Sequence, residues 1–184
     1  NTIKLAGVSA YSAPGFAMAI GSGNPSIEMK NNIFVNEMTS TFGKNYALGL
    51  AYNGSFSNLN SDRNDFFTTA SPLAIAGGLN NTPSGNLTNL AAYQALTGKD
   101  MNSKNALPEF VSSTDLHLTT AAVNLINLDG KGAPVSTTID IDCDTRSVSN
   151  PDIGADEIAG CDYPTISSLS ADVNPIPCSG NTAN

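Results

Sequence analysis

The stretch FAMAI (residues 16–20) followed by IEMKNNIF (27–34) is echoed by YALGL (46–50) followed by LNSDRNDFF (59–67), and this echo decides the fold. The offset is about 30 to 32 residues, inside the range of periods that marks stacked structural units. Each copy holds a short strand of alternating apolar and small residues, a turn rich in Gly, Asn and Ser, and a second strand with asparagine and aromatics at its end. One such unit has nothing to cover its apolar face. Stacking copies along an axis buries that face, which is the logic of a solenoid. Asn32 and Asn64 fall at matching places just before Ile33-Phe34 and Phe66-Phe67. Asparagines aligned in a tight bend can hydrogen-bond up and down a stack, so both are expected to hold the coil and not a ligand.

The pattern changes at Leu73. Residues 70–78 read as a small apolar strand ending at Gly77 and Gly78, and 80–85 as a loop. Leu90, Tyr93 and Leu96 fall at helical spacing, with Thr88 or Asn86 as the N-cap and Gly98 as the C-cap. One short helix is expected there. PEFV (108–111) and DLHL (115–118) read as strands separated by a turn at Ser112, Ser113 and Thr114.

Composition agrees with a β-rich extracellular protein. Only 13% of the 184 residues are charged, against a usual share of about a quarter. With 40% apolar residues and a mean hydropathy of −0.08 the chain is expected to fold. Its length suits one main domain plus a fragment. The net charge of −8, with eight scattered Lys and Arg, leaves no basic stripe for nucleic acid. No apolar run approaches the roughly 18 residues that span a bilayer, and the first residues lack the features of a signal peptide. Of the three cysteines, Cys161 and Cys178 flank a short proline-containing stretch and are candidates for a disulfide in an oxidising compartment. Cys143 is expected to be a small buried residue.

The succession SDRND (61–65), TGKD (97–100) with Ser103, PEFV (108–111), DLHL (115–118), DIDCDTR (140–146) and PDIGADE (151–157) resembles the C-terminal end of right-handed parallel β-helix repeat proteins, pectate-lyase-like in shape, on the surfaces and in the secretions of Bacteroidota-type bacteria. The resemblance covers residues 27–158. It implies an all-β fold with the last rungs and cap of a β-helix over residues 1–158 and one short helix. The family usually has glycine where Cys143 stands, and if that glycine serves a positive φ, cysteine strains the turn by roughly 1 kcal/mol. Residues 159–184 resemble a linker and the opening of an Ig-like β-sandwich that the sequence given does not complete. Export by the type IX system and a longer parent protein are further implications.

The densest acidic cluster is Asp140, Asp142, Asp144, Asp152, Asp156 and Glu157, with Arg146 among them. The alternation at Asp140, Asp142 and Asp144 matches the way oxygen ligands wrap a calcium ion, yet an EF-type loop wants glycine at its sixth position and glutamate at its twelfth, and neither falls in place. The rival expectation is structural: Arg146 pairs with one or two of these carboxylates, Asp152 and Glu157 among them, and fixes a terminal turn that finishes the coil. Calcium is the only cofactor in view. His117, the single histidine, should face solvent opposite Leu116 and Leu118. Lys30 and Arg63, with Glu28 and Asp62 beside them, lie near equivalent positions of successive repeats and could form a small charged patch from which a polysaccharide lyase would draw, though ion pairing on the outer face explains them as well. A non-catalytic structural or adhesive module of a large secreted or cell-surface bacterial protein is the favoured function, with glycans or other surface proteins as partners. The terminal part of a carbohydrate-active β-helix enzyme, or a subunit stacking end to end into filaments, are the alternatives.

Overall fold

The computed structural model describes residues 1–80 and 83–158. The suggested Ig-like opening and the Cys161–Cys178 pairing lie outside the described residues. Among the described residues strand outweighs helix, 32% to 11%, an all-β-like content.

The chain visits three sheets in a fixed order. β1 (Thr2–Ser9), β2 (Gly15–Ile20) and β3 (Ile27–Lys30) make the first circuit, and β4 (Ile33–Ser40), β5 (Asn45–Leu50) and β6 (Leu59–Asp62) the second. β7 (Asp65–Thr68) and β8 (Ala74–Ala76) begin a third. Pairing is parallel in every case: β1-β4-β7, β2-β5-β8 and β3-β6. Equivalent residues therefore lie directly above one another, Thr2 on Ile33 on Asp65 and Phe16 on Tyr46. Rings stack in the same columns, Phe16 on Tyr46 at 5.2 Å and Phe34 on Phe66 at 5.7 Å between centroids.

The corners repeat as faithfully as the strands. Asn31 and Arg63 both take left-handed backbone with φ of 56°, and the Asn31 N–H donates to the Arg63 carbonyl at 3.0 Å. The register pairs Lys30 with Asp62, so Arg63 is the counterpart of Asn31, one residue from Lys30. Asn32 and Asn64 follow as a buried ladder. Oδ1 of Asn64 accepts from the N–H and the Nδ2 of Asn32, 32 residues away, at 3.0 and 2.9 Å. Asn1 extends this ladder by donating its Nδ2 to Asn32 Oδ1 at 3.0 Å.

Parallel stacking gives way where β9 (Asn86–Leu87) runs antiparallel to β8. α1 (Leu90–Thr97) then lays Tyr93 against Phe66. Asn89, one residue beyond Thr88 and three beyond Asn86, supplies the N-cap by accepting from the Ala92 N–H at 2.9 Å, while Gly98 closes the helix with φ of 67°. The ladder ends in Asp100 and Ser103. Asp100 Oδ1 accepts from Asn64 Nδ2 and Ser103 Oγ, and its Oδ2 accepts from the Tyr93 hydroxyl.

Three expectations are corrected by the rest of the chain. A second helix, α2 (Ala122–Asn127), accompanies α1. Residues 108–118 form a single antiparallel bridge between Phe110 and Leu118 in place of two strands. The closing segment, expected as a cap at the end of a coil, instead lies along the outer face of the first sheet. Ile33 and Val35 point away from the core that holds Phe34, and there they pack with Phe110, Leu118, Leu128, Ile153 and Ile158. Both faces of β4 are thus buried, and each fully covered aliphatic side chain on the outer face contributes about 1.5–3 kcal/mol. The segment reaches back to the first circuit: the Gly154 N–H donates to the Asn31 carbonyl at 3.1 Å and the Ala155 N–H to Thr2 Oγ1 at 3.0 Å. Gly154 has φ of 123°, and a Cβ there would meet Ile33 Cδ1 at 2.8 Å. Only glycine allows this approach.

Candidate functional site

The acidic cluster divides into two arrangements that the linear spacing does not separate. In the first, Arg146 is 6% exposed and donates from Nη1 to the Gly154 carbonyl and from Nη2 to the Asp152 carbonyl, at 3.1 and 2.7 Å. Its ion pair is with Glu157, at 3.3 Å. The Asp152 carboxylate faces elsewhere, accepting from the Gly130 N–H at 2.6 Å and the Ile158 N–H at 2.7 Å. Burial pushes that carboxyl up to about 6, against these two N–H groups. Arg146, Asp152 and Glu157 therefore cross-brace the turn at 146–158, with Arg146 bonded mainly to backbone.

In the second arrangement Asp140, Asp142 and Asp156 each bring an oxygen within 4.8 Å of the others. Asp144 does not join them; its backbone N–H donates to Asp140 Oδ1 at 2.9 Å. The trio of Asp140, Asp142 and Asp144 expected from spacing is thus replaced by one that uses Asp156 from the next turn. Asp140 also accepts from the Asp142 and Glu157 N–H groups, and Asp156 Oδ2 from the Leu118 N–H at 2.7 Å. Burial pushes the Asp140 carboxyl up, but the three N–H donors and the Arg146 charge outweigh it and hold it below the usual carboxylate range. A hard cation would compete with hydrogen bonds that already orient these oxygens. Asp140→Asn is expected to cost about 1–2 kcal/mol in calcium-free buffer, since the amide keeps one acceptor and loses the other. Thermal melts with and without millimolar Ca²⁺ check this. A rise in Tm on adding calcium that the variant lacks would instead assign the cluster to the ion.

His117 is 39% exposed at its side chain, and it is engaged on both sides. Nδ1 contacts Asp115 Oδ1, and Nε2 lies 3.0 Å from Asp142 Oδ2. Asp115 and then Asp142 raise the affinity of the ring for its proton. The imidazole so links the 115–118 turn to the 140–145 turn, held between two carboxylates. Cys143, at the tip of the second turn, is exposed and takes φ of 70°. The burial expected of it is overturned, and the positive φ that favours glycine at this position is present.

Lys30, Glu28, Asp62 and Arg63 do lie on neighbouring strands and corners, with Lys30 in register with Asp62, and the ion pairing weighed against catalysis is present. Lys30 Nζ pairs with Glu28 at 2.7 Å, Arg63 Nη1 donates to the carbonyls of Lys131 and Gly132, and Asp62 accepts from Asn102. Sequence reading passed over Asn1, Asp65 and Asp100. Asn1-Thr2-Ile3 does echo Asn32-Ile33-Phe34, so the first was legible; the side chain of Asp65 is met by Ala106 and that of Asp100 by Asn64, Tyr93 and Ser103, pairings that no repeat spacing marks. Among the described residues no helix is long and apolar enough to cross a membrane. No family model, no curated protein and no solved structure matches the chain. Its functional assignment accordingly rests on its own residues.

Proposed function

We propose that residues 1–158 are the C-terminal part of a right-handed parallel β-helix and serve as a non-catalytic structural or adhesive module of a large secreted or cell-surface bacterial protein, one that contacts glycans through its flank. The observation that carries this reading is the in-register parallel stack tied together by the Asn1, Asn32 and Asn64 ladder. Each circuit hands its backbone hydrogen bonds to the next, which favours a stiff rod, and crossovers between parallel strands are almost always right-handed. Residues 159–184 are proposed to lead into an Ig-like module, with export by the type IX system. Support against chemistry at this corner comes from Lys30, whose ammonium is paired with Glu28 at 2.7 Å.

Two assays on the same preparation decide the matter. Immobilised glycans should retain the chain, while incubation with acidic polysaccharides should leave their ultraviolet absorbance unchanged. Unsaturated products would replace the adhesive reading with a lyase. Concentration-dependent fibres without glycan retention would replace it with a filament subunit.

A further inference from the structure

In a chain with eight Lys and Arg against sixteen Asp and Glu, three of the cations gather in one place. Arg63, Lys104 and Lys131 line a recess of ≈210 Å³ with Met101, Asn102 and Ser103. The recess lies where three turns meet: the corner at 61–64, the stretch at 100–104 that continues the stack, and the loop after α2. Lys104 is brought there by its parallel bridge with Asp65, and Lys131 by its N–H bond to the Leu128 carbonyl.

Ion pairs among the described residues form at Lys4, Lys30, His117 and Arg146, and at none of these three cations. Of the acids on the same turns, Asp62 and Asp100 are committed to hydrogen bonds, and Asp65, on which the Lys104 charge acts, forms no ion pair. Both oxygens of Asp62 accept from Asn102 at 2.8 Å, Asp100 holds Asn64, Ser103 and Tyr93, and Asp65 is buried on the outer sheet face with Oδ1 on the Ala106 N–H. All three are half-buried, and an anion entering the recess would gain attraction from each of them. Arg63 spends Nη1 on the carbonyls of Lys131 and Gly132, which fixes the guanidinium and leaves the rest of its fork to a ligand. Met101, 66% exposed, offers an apolar rim.

We propose that this recess is a binding site for a single oxyanion group, the carboxylate or sulfate of an acidic glycan. Its volume is below the roughly 300–1,000 Å³ of pockets that enclose a drug-sized molecule, so it takes one charged group and the edge of its sugar ring, with the remainder of the glycan lying along the coil. The site rests on the adhesive reading only for the carrier of the anion; the recess itself stands on the three cations.

Calorimetric titration at low salt tests it, with an oligogalacturonate, a sulfated oligosaccharide, a neutral oligosaccharide and inorganic sulfate as probes. The two charged oligosaccharides are expected to bind with an affinity that falls as salt rises, and the neutral one to give no heat. The Lys104→Gln/Lys131→Gln variant should weaken binding by about tenfold or more, while Lys44→Gln/Lys99→Gln, with the same net charge, should leave it unchanged. Circular dichroism of both variants confirms that they fold. Equal weakening in the two variants, or no binding of either charged oligosaccharide, overturns the site. Inorganic sulfate binding as tightly as the oligosaccharides overturns the glycan as its carrier. Neutral-glycan retention that survives Lys104→Gln/Lys131→Gln, without any affinity for acidic glycans, overturns the recess and leaves the adhesive module standing.

Discussion

Asn64→Ala is expected to lower the unfolding free energy by about 3–5 kcal/mol, among the largest effects of any single substitution in this chain. Asn64 is 0% exposed. Its Oδ1 accepts from the N–H and Nδ2 of Asn32, and its Nδ2 donates to the Met29 carbonyl at 2.8 Å and to Asp100 Oδ1 at 2.9 Å. Alanine removes all of these at once and leaves a buried backbone N–H, a buried carbonyl and a buried carboxylate each short of a partner. Every such group carries a desolvation penalty of about 1–3 kcal/mol, so the loss exceeds the net worth of the bonds themselves. Asn58→Ala, where an exposed Nδ2 meets the Asn24 carbonyl, is the matched control and should stay within about 1 kcal/mol of the parent. Urea denaturation followed by circular dichroism compares the two. An Asn64→Ala midpoint level with that of Asn58→Ala would mean that the ladder does not hold the circuits together.

The second large effect is a gain. Asp65 lies in the same row as Thr2 and Ile33 on the outer face of the first sheet, 0% exposed beneath residues 105–158. Its Oδ1 accepts from the Ala106 N–H at 2.9 Å, and its Oδ2 has no hydrogen-bond partner. Burial pushes the carboxyl up to about 7, against the Ala106 N–H and the Lys104 charge, which both favour the anion. The folded chain then holds a proton that the unfolded chain releases near 3.8. Stability from this group is greatest below about pH 4 and declines until about pH 7, above which both states are ionised. The difference amounts to about 4 kcal/mol at about 1.4 kcal/mol per pH unit. Asp65→Asn keeps the acceptor for Ala106 and removes the charge, while its amide is left buried at a cost of about 1–3 kcal/mol. The variant is expected to be more stable than the parent by about 2 kcal/mol at pH 8, with the advantage gone or reversed at pH 4. Denaturation midpoints across that range read the result. Parallel curves for the two proteins would show that the carboxyl ionises as freely in the folded chain as in the unfolded one.

These two residues also separate what was legible from what was not. Asn64 announced itself, because a ladder residue recurs with the period of the stack and Asn32 stands in the matching place. Asp65 stands beside it yet carries no such signal: its environment is set by Ala106 and by the closing segment, neither of which belongs to the repeat. A subtler cue did exist. Ile33, Phe34 and Val35 form an unbroken apolar run where a strand with one wet face would alternate, and such runs belong to strands buried on both sides. That run foretells an outer layer without saying which residues supply it. The acidic cluster shows the same limit. Arg146, Asp152 and Glu157 are near one another in sequence and do meet, whereas Asp144 yields its expected place to Asp156 because the turn directs its N–H, not its carboxylate, at Asp140.

The amino-acid sequence alone determined the parallel, in-register stacking of strands, because each circuit meets a near-copy of itself about one period away and identical local choices reinforce one another along the axis. The tertiary structure decided where residues 105–158 lie, which acids converge, and that Arg63, Lys104 and Lys131 share a recess. Those outcomes depend on contacts such as Asn31 to Ala133 and Thr2 to Ala155, 102 and 153 residues apart, which no periodicity encodes. They follow from the outer face of one sheet having apolar surface to bury, and from the closing segment being the part of the described chain that covers it.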